Sequence, residues 1–337
     1  MNAYGATNQN GMPVRPGMTV PLPGHLHRHR ERLIELADMG YTDIWSAEAD
    51  GADAFTPLAL AAAWEPRLRL GTAIVPAYTR SPACFAQSVA TLADAAPGRF
   101  AIGIGSSSNV IVEKWNNIPF EEPYKKVRDM VRFLNDALSG EKIKKSYDTF
   151  EIDGFRLGIR PEQKPTILVA ALREGMLRLA AREADGAIIN WLSPTDVARV
   201  AEVVRGAADG IPKEIVARIF VCPSTNTEVV RAAARFAIAA YLNVPVYAAF
   251  HAWLGRSDDL HDMWTAWQEG DRKAALAAIP DSVVDDLIVH GSPEQCRHRI
   301  REYFDNGVTT SSLAILPLDP ELDHWEAVRS LSPSAHA

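Results

Sequence analysis

Short apolar segments rich in β-branched residues recur along this chain, and most neighbouring pairs are separated by a stretch with helical spacing. That alternation constrains the fold more than any other feature. The candidate strands are Met18–Leu22, Asp43–Ala47, Leu68–Val75, Phe100–Ile104, Thr166–Ala170, Ala187–Asn190, Glu214–Val221 and Ser312–Leu316. The stretch "LHRHRERLIELADMG" brings Leu26, Leu33, Ile34, Leu36 and Ala37 to one helical face and ends on Gly40, a residue suited to a helix C-cap. "PACFAQSVATLADAAPG" behaves likewise and runs straight into the strand "RFAIGIG". Strand, crossover helix and strand make a parallel unit. Eight strands in 337 residues favour a closed (β/α)8 TIM barrel over an open sheet, so residues 1–337 read as one α/β domain.

Two inserts interrupt the alternation, one over about 109–160 after strand four and one over 224–310 after strand seven. The first ends in "YDTFEIDGFRLG", whose alternation around Asp153-Gly154 predicts a β-hairpin turning there. The second is mostly helical and carries aromatic residues, in "YLNVPVYAAFHAWLG" and "MWTAWQEGDRKAALAAIP". Because both follow strands, both are expected at the carboxyl face, where barrel sites are built, and each is a candidate lid.

Composition narrows the function classes. The net charge of -7 offers no basic footprint for nucleic acid or an anionic membrane. No apolar run approaches the roughly 18 residues of a membrane span. The start, "MNAYGATNQNGMPVRPG", lacks the cationic-then-apolar pattern of a signal peptide. Cys84, Cys222 and Cys296 have no close pairing and are expected as buried thiols, which suits a cytoplasmic protein.

The carboxyl ends of the strands supply the candidate chemistry. Strand two ends in "DIWSAEADGAD", where Glu48, near Asp50 and Asp53, is either a solvated loop carboxylate or one that binds a ligand or titrates with it. In strand three, Gly71 to Val75 puts small residues where the backbone can lie against a planar ligand. Strand four ends in "GIGSSSN". Gly103 and Gly105 let the backbone turn, and Ser106, Ser107, Ser108 and Asn109 offer donors. A dinucleotide loop is excluded because serine stands at position 108 of the required G-x-G-x-x-G spacing.

The segment "ILVAALREGMLRLAAREADGAIINW", residues 167–191, joins strand five to strand six through a tight turn and a helix. It is either a plain connection or an anion site, in which helix-start amides bind phosphate and Arg173 adds a charge-assisted bond. Asn190-Trp191 forms a polar-plus-aromatic wall or, for the tryptophan, core. His25 and His29 lie one helical turn apart without the glutamate of a metalloprotease helix, so no metal site is expected. His251, in "AAFHAWLG", is either a pocket residue or a hydrogen-bonded structural histidine. No G-x-S-x-G elbow supports a serine nucleophile.

Taken together, "GYTDIWSAE", "LRLGTAIVPAYTRSPACFAQSVATLADAAPGRFAIGIGSSS", "VEKWNNIPFEEP" and "VAALREGMLRLAAREADGAIINW" resemble the luciferase-like flavin and deazaflavin oxidoreductases, and within them the actinobacterial branch that uses coenzyme F420. The resemblance runs through nearly the whole chain. It implies a (β/α)8 barrel whose cofactor ring sits at the carboxyl mouth. Glu48 matches the acidic residue beside the ring, and Thr72, Ala73 and Ile74 match the segment with a non-prolyl cis peptide whose bulge supports one ring face. Gly105, Ser106, Ser107 and Ser108 match the loop beside the ring. Ala170, Ala171, Leu172, Arg173, Gly175 and Met176 match the segment that holds the cofactor phosphate.

The chain departs from the sugar-phosphate dehydrogenases of that branch, which carry Asp-His where it has Glu48-Ala49 and a glutamate where it has Ser108. The expectation is therefore hydride transfer between F420 and a small organic substrate other than a phosphorylated sugar, in a homodimer. Glu48 is the tentative catalytic residue, Trp115 and Trp191 the substrate walls, and His251 a further donor. An FMN-dependent monooxygenase, an F420-binding protein without turnover, and a hydrolase or lyase using Glu48 and Asp50 are the alternatives.

Overall fold

The computed structural model describes residues 3–334. Eight parallel strands form a ring: β1 Gly17–Thr19, β2 Asp43–Ser46, β3 Arg69–Thr72, β4 Phe100–Gly105, β5 Thr166–Ala170, β6 Gly186–Asn190, β7 Glu214–Cys222 and β8 Thr310–Ile315. Each pairs with the next, and β8 returns to β1 through Met18 and Leu313. The sheet is therefore closed, as the alternation predicted, and helices surround it. Among the described residues no single helix is long and apolar enough to cross a membrane.

Each strand buries both faces, and β7 shows how. Ile215, Ala217, Ile219 and Val221 face the surrounding helices, in the main core. Val216, between them, joins Trp45, Ala101, Leu168 and Ile188 inside the barrel. This is the two-residue period of a strand with two apolar sides.

The inside is filled in layers. At the amino end, Arg69 Nη1 and Nη2 donate to Glu214 at 2.6 and 2.8 Å, and the Thr310 hydroxyl donates to the same carboxylate at 2.7 Å. The fully buried Asp43 accepts from Arg15 Nε at 3.0 Å and from Arg69 Nη1 at 3.3 Å. Burial pushes the Asp43 carboxyl up. Burial also opposes the charge on Glu214, but the hydrogen bonds and charge of Arg69 outweigh it and hold that carboxyl below its usual range. Above this plug lies the Trp45 layer. Residue 71 is glycine because a Cβ there would stand 2.2 Å from the Trp45 ring. With both layers packed, a ligand inside the barrel has room only at the carboxyl end.

Several sequence expectations shift. Strand three is shorter than Leu68–Val75: it breaks at the cis Ala73–Ile74 peptide and resumes as Val75–Pro76 beside β4. The predicted hairpin exists, as Ile143–Ser146 against Glu151–Phe155, but its turn is Tyr147 to Phe150, closed by Tyr147 N–H donating to Phe150 O at 2.9 Å. Asp153-Gly154 instead lies within the second strand. Gly154, at φ 87°, is the extra residue where the register slips.

The hairpin follows the helix Pro123–Leu138 and packs along it through Phe133, Tyr147 and Phe150, so only the start of that insert stays near the mouth. The second insert is helical as expected, from Thr227–Leu242 to Pro293–Asp305, but a short strand, Ile288–His290, interrupts it before that last helix and pairs with the end of β7. The first helix starts at Arg30, after a 3-10 turn over Leu26–Arg28 that separates His25 from His29. Cys84, expected to be buried, is exposed.

Candidate active site

The ends of β2 to β5 converge. Glu48, just after β2, is anchored on three sides: Oε2 accepts from Arg80 Nη2 at 2.9 Å and from the Ala54 N–H at 3.3 Å, and Oε1 from the Thr79 hydroxyl at 3.3 Å. Burial works against the Arg80 charge, but the Glu48 bond and charge outweigh it and raise the guanidinium pKa above its ordinary value. Arg80 also lies over the Phe55 ring at 4.9 Å. No local pattern marks this partner, since 32 residues separate the two and the pairing of β2 with β3 brings them together. Asp50 is exposed, so the two carboxylates singled out together are not held as a pair.

Beside Glu48 runs the Ala73–Ile74 bulge, whose Ile74 O accepts from the Glu48 N–H at 3.1 Å. Ala73 and Ile74 remain half-buried, an apolar surface facing the open end. A Cβ at Gly105 would meet Ile74 Cγ1 and Ala170 Cβ, each at 3.0 Å, so the glycine lets the end of β4 close against the bulge and β5. Thr72 plays a different part from the expected one. It is fully buried, and its hydroxyl accepts from Gly103 N–H at 2.8 Å and donates to Gly103 O at 3.1 Å, locking β3 to β4 beneath the surface. Ser106, Ser107 and Ser108 follow as a half-buried turn with Ser107 at φ 61°, and Ser108 Oγ accepts from Ile111 N–H at 3.4 Å.

The turn after β5 divides into two parts. Ala171 is buried and its N–H donates to Ile188 O at 2.9 Å, so this amide belongs to the sheet and is not free for a ligand. The helix Glu174–Glu183 then begins at Arg173 with no side-chain cap. Its first amides, at Glu174, Gly175 and Met176, precede any intrahelical bond. Arg173 and Gly175 are exposed, and the space around Gly175 is open, with nothing within 4 Å of a Cβ placed there. The Glu174 carboxylate is drawn along the helix to Arg178, at 2.8 Å. The start thus presents unpaired N–H groups and the positive end of a helix dipole, the elements of an anion site.

The opposite side of the mouth separates the expected Asn190-Trp191 wall into two roles. The Asn190 side-chain amide meets the Tyr247 hydroxyl at 3.2 Å, tying β6 to the helical insert. Trp191 is buried, 4.1 Å from the Phe220 ring and 4.8 Å from the Tyr241 ring between centroids, and supports the insert from below. His251 is 0% exposed, and burial, with the Arg256 charge second, pushes its pKa down to about 4. Burial thus favours the neutral ring, packed in the core and not exposed at the mouth. Trp115 is 55% exposed on the turn Val110–Trp115, and none of the ring contacts among the described residues involves it.

The sequence profile described as luciferase-like monooxygenase matches residues 7–310. The 5,10-methylenetetrahydromethanopterin reductase of Archaeoglobus fulgidus is 26% identical over 318 residues, covering 89% of this chain and 93% of that protein. Among solved structures, the coenzyme F420-dependent tetrahydromethanopterin reductase of Methanopyrus kandleri superposes with a TM-score of 0.76 at 20% identity, over 95% of this chain and 97% of the other. A type II Baeyer–Villiger monooxygenase of Pseudomonas putida, in complex with FMN, gives 0.66 at 16% identity, over 95% and 96%.

Proposed function

Since the chain belongs to the luciferase-like monooxygenase family, we propose that it is an oxidoreductase that moves a hydride between coenzyme F420 and a small organic substrate at the barrel mouth. The observation that carries this reading is the meeting of Ile74, Gly105 and Ala170 in one half-buried apolar ledge, next to the uncapped helix start at Arg173. An apolar ledge made of the Ile74 side chain beside two small residues, Gly105 and Ala170, fits the face of a planar ring, and a helix start one strand end away fits its phosphate. A curated relative in Mycobacterium tuberculosis, named a putative coenzyme F420-dependent oxidoreductase, supports the reading, at 24% identity over 83% of this chain and 88% of that protein.

When bound, F420 supplies a carbon that gives or accepts hydride. The chain's own residues orient and tune. Ala73 and Ile74 would back one ring face and leave the other to the substrate, and the amides of Glu174, Gly175 and Met176 would hold the phosphate. Glu48, its carboxylate fixed by Arg80, would set the charge at the ring edge. Homodimer assembly belongs to the same proposal, and size-exclusion chromatography with light scattering tests it.

The deciding experiment mixes the full chain with oxidised or reduced F420 and a panel of enones, imines, ketones and secondary alcohols, following the deazaflavin absorbance. A spectral change dependent on one substrate class supports the proposal. Tight retention of F420 with no change across the panel would replace it with a cofactor-carrier role. Turnover with FMN and oxygen alone would replace it with a monooxygenase, the reading favoured by the FMN-bound structural neighbour.

A further inference from the structure

Among the described residues, one cation inside the barrel has no counter-ion. On β7 the alternation turns Glu214, Val216 and Arg218 inward, and Arg218 is the one nearest the mouth. The Glu214 carboxylate, one layer below Val216, is already taken by Arg69 and Thr310. Nothing else replaces it. The Arg218 Nε is buried without a hydrogen-bond partner, and none of the ion pairs or hydrogen bonds among the described residues reaches its guanidinium. Its surroundings are Asn190 and Ser312 in register on the two flanking strands, and the Phe220 ring 5.2 Å away. Tyr241 and Tyr247 of the insert lie close enough to act on its charge, and burial lowers its pKa. A charge removed from water with an aromatic face beside it but no counter-ion is costly, so a fold that keeps one at an open mouth is incomplete without an anion.

We propose that Arg218 anchors a carboxylate of the substrate, so that the molecule reduced or oxidised here is an organic acid held by its anionic end. This rests on the hydride-transfer reading above. Strands β3 and β4, which carry Ile74 and Gly105 of the ledge, lie across the ring of strands from β7, so an acid bound at Arg218 extends over the ledge toward the reacting carbon. One guanidinium matches one negative charge, which fits a carboxylate rather than a doubly charged phosphate. With Nε sealed, the terminal nitrogens present the paired donors that grip two carboxylate oxygens. Tyr247, whose hydroxyl accepts from the Asn190 amide at 3.2 Å, lies on the same side of the mouth.

The test uses the full chain, with and without F420, and calorimetric titration of benzoate, cinnamate and 3-phenylpropanoate against their primary amides. At least one acid should bind about tenfold or more tightly than its amide. R218M should abolish that preference, R218K should keep part of it, and F420 affinity should stay within about twofold. A melting temperature at or above that of the wild type establishes that R218M is folded. Equal binding of acids and amides across the panel, or an acid preference that survives R218M, overturns the proposal. So does a loss of F420 affinity in R218M, which would make Arg218 a cofactor residue. If the wild type binds no F420 at all, the functional reading fails on its own, while the acid-amide comparison in the cofactor-free protein still judges Arg218.

Discussion

Placing an aspartate at position 175 separates the two roles assigned to the helix start. Gly175 has an ordinary backbone, and a Cβ there meets nothing within 4 Å, so G175D is sterically free. It sits in the first turn of Glu174–Glu183, where a negative charge complements the helix dipole by about 0.3–1 kcal/mol and the loss of glycine adds a few tenths more. Folding stability should therefore hold or rise, with a melting temperature up by about 2 °C. Cofactor binding should move the other way. A carboxylate roughly 4 Å from a phosphodiester repels it by about 1 kcal/mol in bulk water and about 4 kcal/mol at the effective dielectric of a protein surface. The affinity for F420, read by fluorescence titration, should fall between about fivefold and several hundredfold at low salt. The defect should shrink as ionic strength rises. G175A, which adds a methyl but no charge, is the control and should bind nearly as the wild type does. An F420 affinity for G175D within about twofold of wild type at low salt refutes the phosphate site at this helix.

The remaining predictions test other parts of the structure. E48Q keeps the shape of the Arg80 contact at 2.9 Å but removes the charge, so hydride transfer should fall by roughly a hundredfold while the urea midpoint barely moves; unchanged kcat/KM removes Glu48 from the mechanism. G71A drives a Cβ to 2.2 Å from Trp45 inside a closed barrel and should cost about 1–3 kcal/mol of stability by urea denaturation, with no loss meaning that the indole moves freely. His251 carries a pH signature. Its folded pKa of about 4 lies below the ordinary value near 6.5, so the unfolded chain takes up the proton first as pH falls. Its contribution is intact above about pH 6.5 and lost between there and pH 4, by up to about 3 kcal/mol. H251L should be less pH-sensitive across that window than the wild type, and a parallel loss in both proteins contradicts the assignment.

What the sequence revealed and what it hid follow from locality. The strands were legible because both of their faces are apolar, and the ledge residues 73, 105 and 170 lie where strand ends carry small side chains, with Ile74 between them. Features set by one short segment against another were not. The Arg80–Glu48 pair and the Asn190–Tyr247 contact join residues 32 and 57 apart, and neither leaves a local pattern. Arg218 looked like any strand residue until the closed register turned it inward. Asp153-Gly154 misled for a physical reason: a glycine with positive φ serves a bulge as well as a turn, and the aromatic residues Tyr147 and Phe150, packed on Phe133, took the turn instead. Thr72 and Ala171 were picked out from the sequence, but the backbone partners that bury them are visible only in three dimensions.

Side-by-side titration of the wild-type chain with F420 and with FMN reaches the centre of the account most directly. A planar ledge at the end of a closed barrel, with a phosphate site at Arg173 to Met176, predicts saturable binding of F420 at about micromolar concentration, near −8 kcal/mol, and weaker binding of FMN. No saturation by F420, or FMN bound more tightly, contradicts it.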